Sequence, residues 1–387
     1  MDQALRILLL EDSESDADLL IKHLRKEYIH FIHLRVWNRE AFINALKENN
    51  YDLIIADQAL PQFSGMEAFR IAKNQNKHIP FILITGSVSE KILTEYAKEG
   101  IDDYILKGNL LRLPSAIANV VGKKKIEQLH GELEIAHKDI KDSINYARTI
   151  QEAMLPDESI LLKNFPGSFI FFKPKDILSG DFYWFKKGDH TFSIAVADCT
   201  GHGIPGALLS MMGFNILSEA VFTKKISQPS EILDRLNKQV RRILKNGTAI
   251  LNDGMDIVFC TIDLKNKNIM YAGANRSLFI GRERALIEFK PDKISIGGME
   301  NKEMRFANHV IPIKTGDKVF LFTDGYADQF SAKTDKKMNM KRLMELFTKI
   351  TTLSFGQQQD MIAGFFEKWK GDKQQVDDVL LICIQIP

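Results

Sequence analysis

The stretch from Phe192 to Gly206, FSIAVADCTGHGIPG, decides the fold of the second half of the chain. Its first part, Phe192 to Ala197, is an alternating apolar run and predicts a strand that delivers Asp198 to its end. Three glycines follow within eight residues, and the apolar run ALLSMMGFNIL then predicts a helix packed on that strand. A carboxylate at a glycine-rich turn suits close approach to a metal ion or a phosphate group.

Three further aspartates occupy comparable junctions: Asp181 in SGDFYWF, Asp324 in VFLFTDGYAD and Asp377 in QQVDDVLLICIQI. Without histidine or cysteine pairs at ligand spacing, four aspartates favour Mg²⁺ or Mn²⁺ over zinc. A site made of carboxylates alone fits two metal ions that share a water aimed at a phosphate ester. Taken singly, Asp324 is also typical of a turn, and Asp377 with Asp378 of a solvated pair.

The rest of the second half contains many short apolar runs and four longer helical patterns. Strands grouped around two helix pairs predict an α+β sandwich layered αββα. The predicted strands are Phe169–Phe172, Phe182–Phe185, Phe192–Ala197, Ile257–Ile262, Ile269–Ala272, Ser277–Ile280, Lys318–Phe322 and Val379–Ile386, and the predicted helices are 206–222, 229–245, 341–350 and 356–370.

The first half alternates strand and helix patterns five times. Runs such as LIIA and FILIT are continuously apolar, as in parallel strands that are covered on both faces. The alternation predicts an α/β fold, a right-handed, doubly wound parallel sheet of five strands with ligands at the carboxyl ends of the strands. The predicted strands are Arg6–Leu10, Phe31–Val36, Leu53–Ala56, Phe81–Thr85 and Tyr104–Leu106.

Polar residues follow four of these strands: Glu11 and Asp12, Asp57, Thr85 and Lys107. Two unit charges 4 Å apart repel by about 4 kcal/mol at an effective dielectric near 20, so three converging carboxylates need a cation. Oxygen ligands with open positions suit Mg²⁺, and the lysine and threonine would hold an anion beside it. An aspartate that accepts a phosphoryl group needs these parts. Any one of them alone could be an exposed residue that happens to end a strand.

A helical pattern joins the two halves from Pro114 almost to Pro156. Its apolar or small residues are spaced mostly by alternating threes and fours, which indicates a dimeric coiled coil. The alternative to a coiled coil is a single amphipathic helix that packs against a domain of the same chain. The residues of the repeat are Ile126, Leu129, Leu133, Ala136, Ile140, Ile144, Ala147 and Met154.

Composition limits the class of protein. The 387 residues are 45% hydrophobic and 26% charged, enough for two ordinary globular domains. A formal net charge of +2 gives no case for nucleic-acid binding. The three cysteines fit neither a disulfide framework nor a zinc knuckle. We find no signal peptide and no apolar stretch near the roughly 18 residues that span a membrane, so we expect a cytoplasmic protein without a membrane partner.

Residues 5–120 resemble a response-regulator receiver domain through LLLED, ADQALPQFSG, ITGS and DYILKG. The resemblance implies that Asp57 is the phosphoacceptor, that Glu11 and Asp12 bind Mg²⁺ with it, and that Thr85 and Lys107 sense the phosphate. Tyr104 matches the aromatic switch position, although a core aromatic would look the same. One departure is Gly108, where the family most often has proline, and it concerns the loop geometry.

Residues about 144–387 resemble a PPM-type serine/threonine phosphatase of the SpoIIE-like bacterial branch. The matching segments are INYARTIQEAMLP, SGDFYW, ADCTGHGIPGALLSM, MYAGANRSLFI, IKTGDKVFLFTDGYAD and DDVLLICI. The resemblance implies two Mn²⁺ or Mg²⁺ ions, bridged by Asp198. Asp181 and the carbonyl of Cys199 would bind one ion, and Asp324 and Asp377 would complete the site, with Asp378 as the substitute for Asp377.

Three positions in or beside these motifs either lack a catalytic role or differ from the family pattern. His202 belongs to the GHG turn, and we interpret it as structural rather than as a general acid. The chain has Ala272, Gly273 and Ala274 where the family commonly has AGH, so any role of that histidine is lost here. Asp328 replaces the more usual glutamate after TDG, which is a conservative change.

These resemblances imply a receiver domain at 1–120, a helical linker at 121–155 and a phosphatase domain at 156–387, in a homodimer. The hypothesis is a two-component output phosphatase: a sensor histidine kinase phosphorylates Asp57, and the second domain hydrolyses phosphoserine or phosphothreonine on a partner. By resemblance that partner is a STAS-type anti-sigma-factor antagonist.

The alternative to this function is a binding module that holds a partner without turnover. A DNA-binding regulator is disfavoured, because no basic recognition helix follows the receiver.

Overall fold

The chain forms two compact units, Met1–Asp139 and Ile140–Pro387. The computed structural model describes residues 4–26, 30–48, 50–75, 79–87, 90–245, 253–298 and 305–387.

The first unit is built on a parallel sheet in the order β2-β1-β3-β6-β7, with a small β4-β5 ribbon beside it. The predicted doubly wound sheet of five strands is thereby confirmed. The elements are β1 (Leu5–Leu10), α1 (Glu14–Lys26), β2 (Phe31–Val36), α2 (Arg39–Glu48), β3 (Leu53–Asp57), β4 (Ala59–Leu60), β5 (Phe63–Ser64), α3 (Gly65–Gln75), β6 (Phe81–Thr85), α4 (Glu90–Glu99), β7 (Asp103–Leu106) and a 3₁₀ helix, Lys107–Arg112.

Alternation along the central strands creates the two faces of this sheet. Ile7 and Leu9 pack against α1, whereas Leu8 and Leu10 pack against α2 and α3. All residues of β3 and β6 are buried, as expected of parallel strands with helices on both faces. The carboxyl ends of β1, β3, β6 and β7 therefore share one edge, where the crevice forms.

The connecting helix α5 runs from Leu113 to Met154 without interruption over 42 residues. The predicted helix from Pro114 is thus confirmed and begins one residue earlier. Apolar residues of the predicted repeat, among them Ile126, Leu133 and Ile140, have 61–69% of their surface exposed.

The second unit contains two antiparallel sheets of five strands, in the orders β15-β12-β11-β10-β9 and β14-β13-β16-β17-β8. Its elements are α6 (Glu158–Asn164), β8 (Phe169–Lys173), β9 (Phe182–Lys187), β10 (Thr191–Cys199), α7 (Gly203–Ser218) with a π-helical turn (Glu219–Thr223), α8 (Pro229–Lys245), β11 (Met255–Asp263), β12 (Asn268–Ala274), β13 (Leu278–Arg282), β14 (Ala285–Phe289), β15 (His309–Pro312), β16 (Lys318–Phe322), α9 (Gly325–Asp328), α10 (Asn339–Ile350), α11 (Phe355–Lys370) and β17 (Val379–Gln385).

Three hydrophobic layers hold the two sheets and their helices together. The inner faces of the sheets meet through residues such as Ile194 and Ile382. The outer face of one sheet packs on α7 and α8 through Ala195 and its neighbours, and that of the other packs on α10 and α11 through Phe320. The predicted αββα sandwich is confirmed.

Two expectations for this unit need correction. The edge strands β14 and β15 and the short helix α6 were not predicted, because edge strands with mostly exposed or half-buried residues lack the apolar alternation of a covered strand. The helix over Gly203–Thr223 is long and apolar enough to cross a membrane, contrary to the expectation that no stretch approaches that length. Half of its apolar window is buried, and Leu209 and Leu217 pack in the core below the sheet, which is typical of a core helix.

Candidate functional site

The first unit carries a cluster of three carboxylates at the edge formed by the ends of β1 and β3. One oxygen from each of Glu11, Asp12 and Asp57 lies within 4.8 Å of the others, so the cluster could hold a metal ion. Glu11 and Asp57 are buried and Asp12 is exposed. The Oε2 atom of Glu11 is buried without a hydrogen-bond partner among the described residues. Burial, and less strongly the charge of Asp57, raise the pKa of Glu11 to about 7 against the hydrogen bond from the Ser13 amide. A hard oxygen donor set with an unsatisfied buried atom fits Mg²⁺.

Lys107 closes this crevice from the end of β7. Its Nζ atom donates to Asp57 Oδ2 and to Asp16 Oδ2, both at 2.7 Å, and lies 3.7 Å from Glu11 Oε2. Burial opposes the charged lysine, but these hydrogen bonds outweigh it and raise the lysine pKa above its ordinary value. Sequence analysis missed Asp16, whose only signal is its position in the first turn of α1.

Thr85 and Tyr104 lie on the two strands next to this crevice. Thr85 ends β6, is buried, and donates its hydroxyl to the carbonyl of Ser87 at 3.0 Å. The register pairs Thr85 with Leu106, the residue before Lys107. Tyr104 is half-buried on β7, and its ring lies 6.3 Å from that of Tyr96.

The aspartates of the second unit lie at the ends of paired antiparallel strands. Asp198 is the penultimate residue of β10, and Asp181 immediately precedes β9, its antiparallel partner. Asp324 follows β16, and Asp377 precedes β17, the antiparallel partner of β16. The negative charge of at least one of the other three aspartates raises the pKa of Asp181, of Asp198 and of Asp377, so the four carboxylates are close enough to interact.

Close backbone approaches hold these loops together. A Cβ atom on Gly206 would lie 2.3 Å from the carbonyl oxygen of Gly201, and one on Gly180 would lie 2.6 Å from the same oxygen. At the start of α9, a Cβ atom on Gly325 would lie 1.9 Å from the carbonyl oxygen of Asp378. Only glycine permits these approaches, which explains the SGD, GIPG and TDG patterns.

Asp181 is buried and accepts a 2.7 Å hydrogen bond from the hydroxyl of Thr323. That hydroxyl also accepts from the Leu380 amide at 3.0 Å. Burial, followed by the charge of Asp198, raises the pKa of Asp181 well above its ordinary value. Sequence analysis missed Thr323, although it is the first residue of the TDG motif.

Asp198 and Asp324 share one guanidinium. Nη2 of Arg276 donates to Asp198 Oδ2 and to Asp324 Oδ2, at 2.7 Å from the latter, and lies 3.8 Å from Asp256 Oδ2. Burial raises the pKa of Asp198 to about 8; the charge of Arg276 opposes this, and those of Asp324 and Asp377 add to it. Arg276 was part of the quoted MYAGANRSLFI segment, but no role was predicted for it.

The neighbours Asp377 and Asp378 have different surroundings. Asp378 is buried and accepts from the backbone amides of Lys175 and Gly180, both at 2.7 Å, so its carboxylate anchors the loop that carries Asp181. Asp377 is half-buried and accepts from the Asp378 amide at 2.9 Å. Burial raises the pKa of Asp377, that hydrogen bond lowers it, and the charge of Asp324 raises it further.

The remaining predicted positions lie around this cluster. The carbonyl oxygen of Cys199, the last residue of β10, lies 3.4 Å from the Cβ position of Gly180. His202 precedes α7, and its Nδ1 pairs with Asp176 Oδ2 at 2.6 Å, a contact that holds the two loops together. Asp328 pairs with Lys337 at 3.0 Å.

The two acidic sites differ in how tightly their oxygens are gathered. Within the described ranges, three ligand atoms within 4.8 Å of one another occur at Glu11, Asp12 and Asp57. The second cluster is spread more widely around Arg276. Asp181 is buried, has a raised pKa and pairs with no cation among the described residues, and an all-oxygen donor set of this kind fits Mn²⁺ or Mg²⁺.

Comparisons with known proteins match both units of the chain to known families. Residues 188–387, more than half of the chain, match the family model for stage II sporulation protein E (SpoIIE), and residues 7–118 match that for the response regulator receiver domain. The solved SiaA-PP2C domain of Pseudomonas aeruginosa is 27% identical with a TM-score of 0.60, covering 65% of this chain and 99% of that one.

Two curated relatives cover smaller shares of the chain. Phosphoserine phosphatase RsbU of Bacillus subtilis (strain 168) is 24% identical over 54% of this chain and 60% of its own length. Transcriptional regulatory protein RprY of Bacteroides fragilis (strain YCH46) is 33% identical over 33% of this chain and 55% of its own length. The chain thus spans little more than half the length of these relatives. With the receiver domain at its N-terminal side, the chain belongs to the SpoIIE family.

Proposed function

We propose that this protein is a receiver-controlled, metal-dependent phosphatase that hydrolyses phosphoserine or phosphothreonine on a partner protein. Its receiver domain comprises residues 1–120, its helical linker 121–155 and its phosphatase domain 156–387. The observation that carries the proposal is the convergence of four aspartates, from the ends of four strands, within the SpoIIE domain.

In the phosphatase domain, Asp198 would bridge two Mn²⁺ or Mg²⁺ ions. Asp181 and the Cys199 carbonyl would bind one of them, and Asp324 and Asp377 would complete the set. When bound, such ions lower the pKa of water and polarise a phosphoryl group. The chain itself supplies orientation: Thr323 holds one oxygen of Asp181. The support for Asp377 over Asp378 is that two backbone amides already engage Asp378.

In the receiver domain, Asp57 would accept a phosphoryl group from a sensor histidine kinase. Glu11, Asp12 and Asp57 would hold Mg²⁺, and Lys107 already donates to Asp57. Lys107 and Thr85 would contact the attached phosphoryl group, and Tyr104 would respond to it. Phosphoryl transfer depends mainly on such positioning and charge neutralisation.

The linker would reach the phosphatase site through Gln151, near the end of α5. The side chain of Gln151 is buried; its Nε2 donates to the carbonyl of Ser179 at 2.7 Å and to Ser210 Oγ at 3.0 Å, and its Oε1 accepts from the Ser179 amide at 3.1 Å. Ser179 Oγ in turn accepts from the amide of Asp181. A shift of this helix would therefore move the backbone that presents Asp181.

We expect Gln151→Ala to uncouple the two domains. In the wild type, beryllofluoride, a phosphoryl mimic, should change the rate of phosphate release, and in the variant the ratio of rates should fall close to one. Gln128→Ala on the same helix is the matched control, because Gln128 is exposed and its side chain donates to the exposed Glu132. A variant that keeps the full wild-type ratio would contradict this route.

The linker would also join two copies of the chain in a parallel coiled coil. Four residues of the predicted repeat, Ile126, Leu129, Leu133 and Ile140, have 50–69% of their surface exposed. Burying such a stripe against a second helix removes apolar surface from water. The expected assembly is a homodimer.

Sedimentation of the full chain tests this dimer. We expect twice the chain mass of 44.1 kDa for the wild type and a monomer for Leu129→Glu/Leu133→Glu, since charges in the seam oppose pairing. Lys138→Glu, outside the repeat, should remain dimeric. A monomeric wild type, or a dimeric double variant, would refute the coiled coil.

The partner that fits this output best is a phosphorylated STAS-type anti-sigma-factor antagonist, in the cytoplasm. The SpoIIE-like domain supports this choice of partner, as does the relative RsbU, which is named a phosphoserine phosphatase.

The decisive experiment is phosphate release from a phosphoserine peptide by the purified full chain. We expect turnover with Mn²⁺ or Mg²⁺ and none after the ions are chelated, with recovery when Mn²⁺ is added back. Folded protein that shows no turnover with either ion would contradict the proposal. It would then favour a module that holds its partner without hydrolysis.

A further inference from the structure

Arg276 occupies a rigidly built position between β12 and β13. Its carbonyl accepts a 2.8 Å hydrogen bond from the hydroxyl of Tyr271. Gly273 has no room for a Cβ atom, which would lie 2.4 Å from that carbonyl oxygen. Asn275 adopts the left-handed conformation, with φ at 54°, and its Nδ2 donates to Asp256 Oδ1 and Ser295 Oγ at 3.0 and 2.8 Å. The backbone of Arg276 is therefore held beside the acidic cluster.

The side chain of Arg276 contacts oxygens that the proposed metal ions would need. Its Nη2 donates to Asp198 Oδ2 and Asp324 Oδ2, and only 16% of the side chain is exposed. A guanidinium and a divalent cation are both positive and would repel each other if both lay against these two carboxylates. Both cannot hold the same pair of oxygens at once.

The guanidinium also has unused capacity for an anion. Of its five N–H donors, those on Nη2 serve the two carboxylates, and Nε is buried without a hydrogen-bond partner among the described residues. The planar fork of arginine matches two oxygens of a phosphate group. An anchored arginine that is released from two carboxylates would remain within the site, ready to contact such a group.

We propose that Arg276 recognises the phosphoryl group of the substrate and competes with the divalent cation for Asp198 and Asp324. With a cation on these carboxylates, the side chain of Arg276 would leave them and its guanidinium would contact the substrate phosphate. This assignment rests on the proposed phosphatase function, and it makes Arg276 a substrate-binding residue of that reaction.

The test compares the wild type with Arg276→Ala and Arg276→Lys in the full chain. Calorimetry measures the binding of Mn²⁺ alone, and then of inorganic phosphate at saturating Mn²⁺. Removing the competing charge should tighten Mn²⁺ binding of the alanine variant about tenfold. Losing charged hydrogen bonds should weaken phosphate binding, and raise KM for a phosphoserine peptide, by about tenfold or more, with a smaller change in kcat. The lysine variant should recover part of the phosphate affinity as a point charge.

Arg235→Ala is the matched control. Arg235 lies in the same domain, pairs with Glu219 at 2.9 Å, and also has a buried Nε without a partner among the described residues. The Arg235→Ala substitution should leave the affinities for Mn²⁺ and for phosphate unchanged. Should the alanine variant fail to fold, the lysine variant carries the test, with phosphate affinity below that of the wild type.

Unchanged Mn²⁺ affinity in Arg276→Ala, or unchanged phosphate affinity, would overturn the proposal. The experiment distinguishes failure of this proposal from failure of the proposed phosphatase function. If the wild type binds Mn²⁺ and phosphate without turnover, the proposed phosphatase function is wrong. The two binding measurements still decide the role of Arg276. If the wild type turns over and the variants bind like it, the role of Arg276 alone is wrong.

Discussion

Asp198→Asn is expected to lower Mn²⁺-dependent phosphate release by at least about a hundredfold, while the protein stays folded. Asp198 lies at the centre of the proposed ligand set, because it pairs with Arg276 and interacts with Asp324 and Asp377. Asparagine keeps the shape of the side chain but loses its charge and one acceptor oxygen. A ligand proposed to bridge two cations cannot be replaced by a neutral amide without loss of at least one of them.

Asp256→Asn provides the control for this substitution. Asp256 lies directly across from Asp198 in the β10–β11 register and 3.8 Å from Arg276, but it is not a proposed metal ligand. We expect it to keep most of its activity and its Mn²⁺ binding by calorimetry. An Asp198→Asn protein as active as the wild type would contradict the assignment of this site.

Much of the fold follows from local pattern. The continuously apolar LIIA and FILIT segments predicted parallel strands buried on both faces, and β3 and β6 are completely buried. The glycine-rich turn after Asp198 predicted a close approach to a metal ion or a phosphate group, and the structure shows a close backbone approach in that turn, between Gly206 and Gly201. In both cases the physical cause acts over a few neighbouring residues, so a single sequence reveals it.

The parts that sequence analysis missed depend on contacts between distant residues. The bonds of Arg276 to Asp198 and Asp324 join positions 78 and 48 residues apart, and nothing near Arg276 marks it as a partner of either. The difference between Asp377 and Asp378 likewise arises from backbone amides about 200 residues away. Adjacent aspartates before a strand look alike until the opposing loops are in place.

The chemistry of the site also sets the stability of the domain, and Asp181 shows how. Asp181 is 3% exposed, its side chain accepts a hydrogen bond from Thr323, and no cation pairs with it among the described residues. Burial and the charge of Asp198 raise its pKa well above 3.8. Between 3.8 and that raised pKa the folded protein binds more protons than the unfolded chain, so stability falls as pH rises through this window. Above this window the ionised carboxylate is a cost to the fold.

Asp181→Asn should therefore stabilise the protein in the absence of divalent ions and abolish its turnover. The amide oxygen can still accept the Thr323 hydroxyl, and the uncompensated charge is gone. We expect a gain of about 1 kcal/mol, or about 2–4 °C in the melting temperature at pH 8 with chelator present, and a smaller gain at pH 5. Asp317→Asn is the control with the opposite sign, because Asp317 is equally buried but paired with Arg282 at 2.7 and 2.8 Å. Breaking that pair should lower the melting temperature.

Adding Mn²⁺ should reverse the order of wild type and Asp181→Asn. The wild type gains stability by RT ln(1 + [Mn²⁺]/Kd) as the ions bind, whereas the variant, lacking one ligand, gains much less. The transition to follow in calorimetry is the one that Asp181→Asn shifts in chelator, since the chain has two compact units and each carries a proposed site for divalent ions. A variant that melts below the wild type in chelator would mean that the fold itself favours the ionised Asp181. The reversal is expected because carboxylates gathered for cations repel one another until cations arrive, so the residues that bind metal best are those that stabilise the bare fold least.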